Sequence, residues 1–300
     1  MTTQDWADRR RAIEPGRHWI NRGGRRARWR KLPFRLAVAA LGGLLRATPL
    51  YRRGLRNALD IECLAFEVEL PALPPAFDGY RILHVSDTHL DNLPALAGVA
   101  RRLLQGVEVD MLALTGDVHG DPAAPVERSV GLLAHALEPV TVRGPRLAIL
   151  GNHDPAAIAG LLADAGYEVL VNRSLVLRRG PERLRITGLD DVHSFFSEAA
   201  RAALDDHAGE FRVALVHSAE VADDAARAGY ALYLCGHTHG GQVRLPGYGA
   251  ILTASALGKR YEMGRYDKEG TTLYVSRGIG MEGLAAPRVR FLSPPEITLF

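Results

Sequence analysis

From about residue 61 onward, short apolar runs alternate with longer amphipathic stretches, and polar residues or glycine close each run. Five runs read as strands: Arg81–Val85, Val109–Leu114, Leu147–Leu150, Phe211–Val216 and Leu232–Leu234. Helical periodicity falls near Leu93–Leu104, Val126–Leu137, Ala156–Ala165, Glu198–Asp206 and Ala219–Ala228. This regular alternation predicts an α/β protein with buried sheets. Ile61–Leu70 alternates well enough for a strand and is ended by Pro71, Pro74 and Pro75. Ser174–Leu177 and Leu184–Thr187, with Arg-Gly-Pro between them, read as a hairpin, and Gln242–Leu245, Thr272–Ser276 and Glu296–Phe300 make the C-terminal part strand-rich.

The first 56 residues depart from this pattern. Phe34 to Ala47 is mostly apolar, with Arg35, Gly42 and Arg46 on one helical stripe and Pro33 and Pro49 as punctuation. Its uncharged stretch is too short for the roughly 20 residues of a spanning helix. The expectation is a basic amphipathic arm over residues 1–56, lying on an anionic membrane surface, ahead of a single domain over 57–300. A spanning or export segment and a helix docked on the protein's own body are the competing readings.

Charge sharpens this division. Residues 1–60 carry 15 Arg or Lys against 4 Asp or Glu, and residues 61–300 carry 22 against 30, so a basic arm precedes an acidic body. All three tryptophans, Trp6, Trp19 and Trp29, lie in the basic segment, where an interface would suit an indole. Nucleic acid ranks lower as a partner, because no nucleic-acid module accompanies the arm. The expected location is therefore the cytoplasmic face of the inner membrane, held peripherally, with N-terminal anchoring or a soluble protein as alternatives. Two cysteines, Cys63 and Cys235, exclude a disulfide framework and a cysteine-based zinc ribbon.

Candidate chemistry sits at the ends of the apolar runs. Asp87 and His89 follow the first, Gly116-Asp117 the second, Gly151-Asn152-His153-Asp154 the third, His217 the fourth and Gly236-His237-Thr238-His239 the fifth. Carboxyl ends of strands in an open α/β sheet converge on one crevice. Carboxylates, an amide oxygen and imidazoles brought together there suit hard-to-borderline divalent ions. In Asp87-Thr88-His89, alternate residues of an extended segment would point the same way. His237 and His239 share that spacing, or straddle two ions around a turn.

Taken together, these five blocks closely resemble the calcineurin-like metallophosphoesterase superfamily, over roughly residues 61–300. Phe77-Asp78-Gly79-Tyr80-Arg81-Ile82-Leu83, Gly188-Leu189-Asp190-Asp191, Gly240-Gly241-Gln242-Val243-Arg244-Leu245-Pro246 and Ser276-Arg277-Gly278-Ile279-Gly280 are similar to its membrane-associated bacterial phosphodiesterases, which include UDP-2,3-diacylglucosamine hydrolases. The resemblance implies a four-layer α/β/β/α sandwich with two mixed sheets. It implies one ion on Asp87, His89, Asp117 and His239 and another on Asp117, Asn152, His217 and His237, with Asp117 bridging. It also implies His153 as the catalytic histidine, with Asp154 as its orienting partner. Manganese leads among the metals, with iron, zinc or cobalt as alternatives.

The expected reaction is attack of a metal-bridged hydroxide on a phosphodiester or pyrophosphate. The sequence lacks the Asp-Arg-Gly and Gly-Asn-His-Glu strings of the superfamily's protein phosphatases, which argues against a protein substrate. A lipid-linked substrate such as UDP-2,3-diacylglucosamine is the specific expectation. A cyclic-nucleotide or nucleic-acid phosphodiesterase and a non-catalytic metal-containing membrane adaptor are the rivals. Arg244, Arg277 and His119 are candidate substrate contacts, His119 with a plain surface-loop role as its alternative. The remaining histidines, His18, His84, His135, His193 and His207, are expected to do packing or surface work.

Overall fold

The computed structural model describes residues 3–13, 36, 39–40, 42–195, 197–205, 210–283 and 287–300. In chain order, β1 (Glu62–Ala65), β2 (Ile82–Val85), β3 (Met111–Thr115), β4 (Arg146–Ile149) and β5 (Glu168–Val169) belong to a first sheet. A second sheet takes β6 (Arg173–Arg179), β7 (Glu182–Gly188), β8 (Phe211–Leu215), β9 (Leu232–Cys235), β10 (Gly264–Lys268) and β11 (Thr271–Val275), and β12 (Glu296–Leu299) returns to the first. The strand orders are β1-β12-β2-β3-β4-β5 and β10-β11-β9-β8-β7-β6. Both sheets are mixed: β12 runs antiparallel to β2, and β6 and β10 run antiparallel to their neighbours, while the central strands are parallel.

The period-2 geometry of these strands builds three apolar layers. Ile82, Met111, Ala113, Leu147 and Ile149 meet Leu184, Ile186, Val213, Leu215 and Leu232 between the sheets. The opposite faces of β2, β3 and β4 present Leu83, Val85, Leu112, Leu114 and Ala148 to helices α3 (Ala95–Leu103), α4 (Val126–Leu137) and α5 (Ile158–Asp164). Ala214, Tyr233, Leu273 and Val275 of the second sheet meet α6 (Glu198–Leu204) and α7 (Ala222–Arg227). The result is the four-layer sandwich that the family resemblance implies.

Several local readings change. Only Glu62–Ala65 of the Ile61–Leu70 run pairs as a strand, in register with β12. The run Val109–Leu114 is interrupted at Asp110, whose carboxylate accepts the Arg81 amide at 2.8 Å and pairs with Arg179 at 2.8 Å. Strand β10, rich in charged residues, carried no apolar signal. Pro49 starts a helix rather than ending one: α2 (Pro49–Leu59) has proline in its first turn, where no amide partner is needed. Gly54 lets α2 lie against the 289–291 segment, since a Cβ there would stand 2.5 Å from Val289 Cβ. Asn57 Nδ2 donates to Arg290 O at 2.9 Å across the same contact. Of the expected Phe34–Ala47 helix, residues 36, 39–40 and 42–46 are helical, while 34, 35, 37, 38 and 41, with Trp19 and Trp29, lie outside the described residues. Among the described residues no helix is long and apolar enough to cross a membrane.

His84 faces the inter-sheet core beside Tyr274 and Phe300, with its Nε2 2.8 Å from Thr115 Oγ1. Burial pushes this imidazole down to about 3 from its ordinary 6.5. The unfolded chain therefore binds a proton between those values that the folded chain does not, so stability is complete above pH 6.5 and declines as pH falls. We expect His84→Leu to flatten the dependence of unfolding free energy on pH between 6 and 4 by about one proton, roughly 1.4 kcal/mol per pH unit. Urea melts across that range would read it, and an unaltered slope would show that His84 charges without penalty in the fold.

Candidate metal centre

All seven predicted ligand residues lie around one site at the carboxyl ends of β2, β3, β4, β8 and β9. Asp87, His89 and His239 form one buried group whose candidate ligand atoms lie within 4.8 Å of one another, and Asp117, His217 and His237 form a second. His237 and His239 thus divide between the groups. Asp117 Oδ2 stands between them, 3.2 Å from His217 Nε2 and 3.6 Å from His89 Nε2. Asn152 Oδ1 joins the second group at 3.1 Å from His217 Nε2.

Extended alternation is not what brings Asp87 and His89 together. Asp87, His89, Asp117, His237 and His239 all have positive φ, between 35° and 72°. Non-glycine residues rarely adopt this conformation, and the surrounding structure has to impose it. The Asp87 amide donates to Gly116 O at 3.0 Å, and the Asp87 carboxylate accepts the His237 amide at 2.9 Å and the Ser86 hydroxyl at 2.6 Å. Two glycines make room for the carboxylates: a Cβ at Gly236 would lie 2.0 Å from Asp87 Oδ2, and one at Gly151 would lie 2.1 Å from Asp117 Oδ1.

Hydrogen bonds on the far side of the rings fix their direction. His89 Nδ1 donates to His119 O at 2.9 Å, and His217 Nδ1 donates to Thr115 O at 2.9 Å, which turns each Nε2 toward the centre. Among the described residues, Nε2 of His89 and of His237 are buried with no hydrogen-bond partner. Two orphaned nitrogens beside buried carboxylates are a donor set that divalent cations would satisfy.

The electrostatics agree with that fit. Burial, then repulsion from His193 and His217, holds His237 well below its ordinary value. Burial and the Arg290 guanidinium do the same for His239. Both rings are therefore neutral and available near pH 7. Burial opposes charge on Asp117, but His217 and His153 outweigh it and hold the carboxylate well below the usual range. The same contact raises His217 well above 6.5 against the effect of burial.

Other predicted site residues are placed differently. Asp154 does not orient His153. Its two oxygens accept the amides of Asp117, Val118, His119 and Gly151 at 2.8–2.9 Å, which saturates the carboxylate and ties the third motif to the second. His153 instead pairs through Nε2 with Glu282 at 2.9 Å, while its ring stands edge-on to His89 at 5.2 Å. His119 is not on a surface loop: it is buried, with Nδ1 2.9 Å from Ser129 Oγ. Arg244 pairs with Glu262 at 2.7 Å, and Arg277 pairs with Glu296 and with Glu62, so both guanidinium groups already hold carboxylates.

Three contributors carried little sequence signal. Arg290 is fully buried behind His239, donating to His239 O at 2.7 Å and lying 3.1 Å from its Nδ1; burial pushes its pKa down to about 9. Glu282 lies between β11 and β12, outside any strand. His193, expected to be a packing residue, lies 4.6 Å ring to ring from His237, with Nδ1 2.7 Å from Glu220. The Asp191 side chain, accepting the His193 and Ser194 amides, makes the turn that places it, and the Asp-Asp pair before it was the available clue.

Comparison with known proteins gives this geometry a family. Residues 80–251 match the calcineurin-like phosphoesterase superfamily domain. The chain is 33% identical over 251 residues to the uncharacterized metallophosphoesterase YkuE of Bacillus subtilis, covering 80% of this chain and 85% of that protein. It is 27% identical over 230 residues to phosphodiesterase YaeI of Escherichia coli, covering 73% and 81%. Among solved structures, the sulfate thiohydrolase SoxB of Thermus thermophilus aligns with a TM-score of 0.42 at 13% identity, over 69% of this chain and 53% of that one. The chain belongs to the calcineurin-like phosphoesterase superfamily and is a metal-dependent phosphoester hydrolase.

Proposed function

We propose that this protein hydrolyses a phosphodiester or pyrophosphate bond at a dinuclear centre, on a substrate carried at a membrane surface. One ion would be held by Asp87, His89, Asp117 and His239, the other by Asp117, Asn152, His217 and His237. The observation that carries this reading is Asp117 Oδ2, within 3.6 Å of an imidazole from each group. When bound, divalent ions supply Lewis-acid charge at phosphoryl oxygens and make a water nucleophile available near neutral pH. Manganese, iron, zinc and cobalt all suit mixed imidazole and carboxylate ligands. His153, paired with Glu282 and edge-on to His89 of the first group, would give a proton to the leaving oxygen.

Two features support a diester at a membrane. The relative YaeI is named a phosphodiesterase. In addition, α2, the 289–292 segment and the hairpin that follows His239-Gly240-Gly241 pack side by side, joined by Asn57 to Arg290 and by the Arg244 amide to Phe291 O. These elements expose Leu50, Leu245, Ile251, Leu252 and Leu292, and α2 adds exposed Arg52, Arg53 and Arg56. Apolar side chains flanked by arginines fit an anionic lipid surface. UDP-2,3-diacylglucosamine, a pyrophosphate with acyl chains, is the specific substrate we favour, acted on from the cytoplasmic face of the inner membrane.

A substrate panel with added manganese tests the reading. Bis-p-nitrophenyl phosphate should turn over faster than p-nitrophenyl phosphate, and UDP-2,3-diacylglucosamine faster than cyclic AMP. Combined Arg52→Glu, Arg53→Glu and Arg56→Glu should weaken binding to phosphatidylglycerol vesicles by more than about tenfold and leave soluble diester hydrolysis unchanged. Preference for the monoester would overturn the diester assignment, and undiminished vesicle binding would overturn the membrane assignment.

A further inference from the structure

We propose that Arg10, in helix α1 (Thr3–Ile13), is a positioning residue for the metal centre: it clamps the loop that carries Asn152 and His153 to the turn that carries His193. The inference rests on the hydrolase reading for its kinetic consequence and on geometry alone for the clamp.

Arg10 lies in a run of three arginines, yet it is 2% exposed while Arg9 and Arg11 face solvent. Its Nη2 donates to Gly151 O at 2.7 Å and to Asp154 O at 2.8 Å, bracketing Asn152 and His153. Its Nη1 pairs with Asp190, whose other carboxylate oxygen accepts Trp6 Nε1 at 2.7 Å. The guanidinium also stacks over Phe195 at 4.0 Å. Trp6 is buried in the core on the helix face of the first sheet, so this tryptophan packs within the protein.

One planar fork thus joins two loops that the sheets alone leave separate, since Gly151–Asp154 follows β4 of the first sheet and Asp190 follows β7 of the second. A lysine, with a single ammonium on a flexible stem, cannot reach a carboxylate and two carbonyls in that fixed geometry. Misplacement of catalytic groups by about 1 Å lowers turnover by as much as about 10²-fold without abolishing binding. The Arg10 clamp therefore makes the N-terminal helix part of what holds His153 in place.

The test uses the full-length protein loaded with manganese. Arg10→Ala should lower kcat for bis-p-nitrophenyl phosphate by about tenfold or more, with KM changed less than about threefold and both metal ions retained by elemental analysis. Arg10→Lys should not restore kcat, millimolar guanidinium added to Arg10→Ala should restore part of it, and Arg11→Ala should match the parent. Amide hydrogen exchange over residues 150–156 should quicken in Arg10→Ala with the strands unaffected, a result that does not depend on turnover. Unchanged exchange in that segment overturns the clamp. Normal kcat with quickened exchange overturns the positioning role, as does a loss of kcat that only follows loss of metal or global unfolding. A parent protein without turnover overturns the hydrolase reading instead, and the exchange result still decides the clamp.

Discussion

Asp117→Asn is expected to lower kcat/KM for any phosphodiester by about 10³-fold, equivalent to about 4 kcal/mol of transition-state stabilisation, and to lower the bound metal content of the purified protein. The substitution keeps shape and removes charge. Asparagine Oδ1 can still accept the His153 amide, which donates to Asp117 Oδ1 at 2.7 Å, so the loop has no reason to move. What is lost is the negative oxygen facing imidazoles of both groups at 3.2 and 3.6 Å. A neutral amide oxygen balances far less of the charge of two neighbouring cations. The fold should survive, because the amide has the shape of the carboxylate and leaves the His153 amide its acceptor. Activity assays paired with elemental analysis would check the result. Full metal content with full activity would remove Asp117 from the centre.

His153→Ala has the second-largest expected effect, and its signature differs. We expect kcat to fall by about 10²–10³-fold, KM to change little and metal content to stay at the parent level. His153 belongs to neither ligand group, and its backbone amide, the part that touches Asp117, persists in alanine. Proton donation matters most when the leaving oxygen is a strong base. The loss should therefore be larger for an alkyl ester than for a p-nitrophenyl ester. Equal losses for the two leaving groups would assign His153 to binding or to orientation. Glu282→Gln should reproduce a smaller part of the same pattern, because it removes the carboxylate that holds His153 Nε2 at 2.9 Å.

The fold and the metal centre differ in how far local pattern could reveal them. Strands β2, β4, β8 and β9 were legible because each is a mostly apolar run that is largely buried, and α4 because its apolar spacing is regular from Val126 to Leu137. Strand β10 was not, since Gly264–Lys268 lies at a sheet edge and exposes its charged residues to solvent. Helix α2 was hidden by Pro49, which serves equally well as a stop or as a first turn. At the centre, Asp, Asn and His at strand ends advertise ligand chemistry in their own residue types. Glu282, Arg290 and His193 come from segments with no such pattern, and only the packing of both sheets' loops brings them near.

The order and chemical identity of the side chains determined an α/β protein with buried sheets and the kind of ion its crevice suits, because burial periodicity and ligand type are written residue by residue, and the four-layer sandwich followed from the motifs' resemblance to a known family. Tertiary structure alone decided how those side chains are used. It turned five ligand residues into left-handed backbone, gave Asp154 to four amides, gave His153 to Glu282, and inserted Arg10 between Gly151, Asp154 and Asp190. Nearly all of these contacts join positions far apart in the chain, the Gly151 amide to Asp154 being local, and no local propensity encodes which buried charge a distant loop will meet.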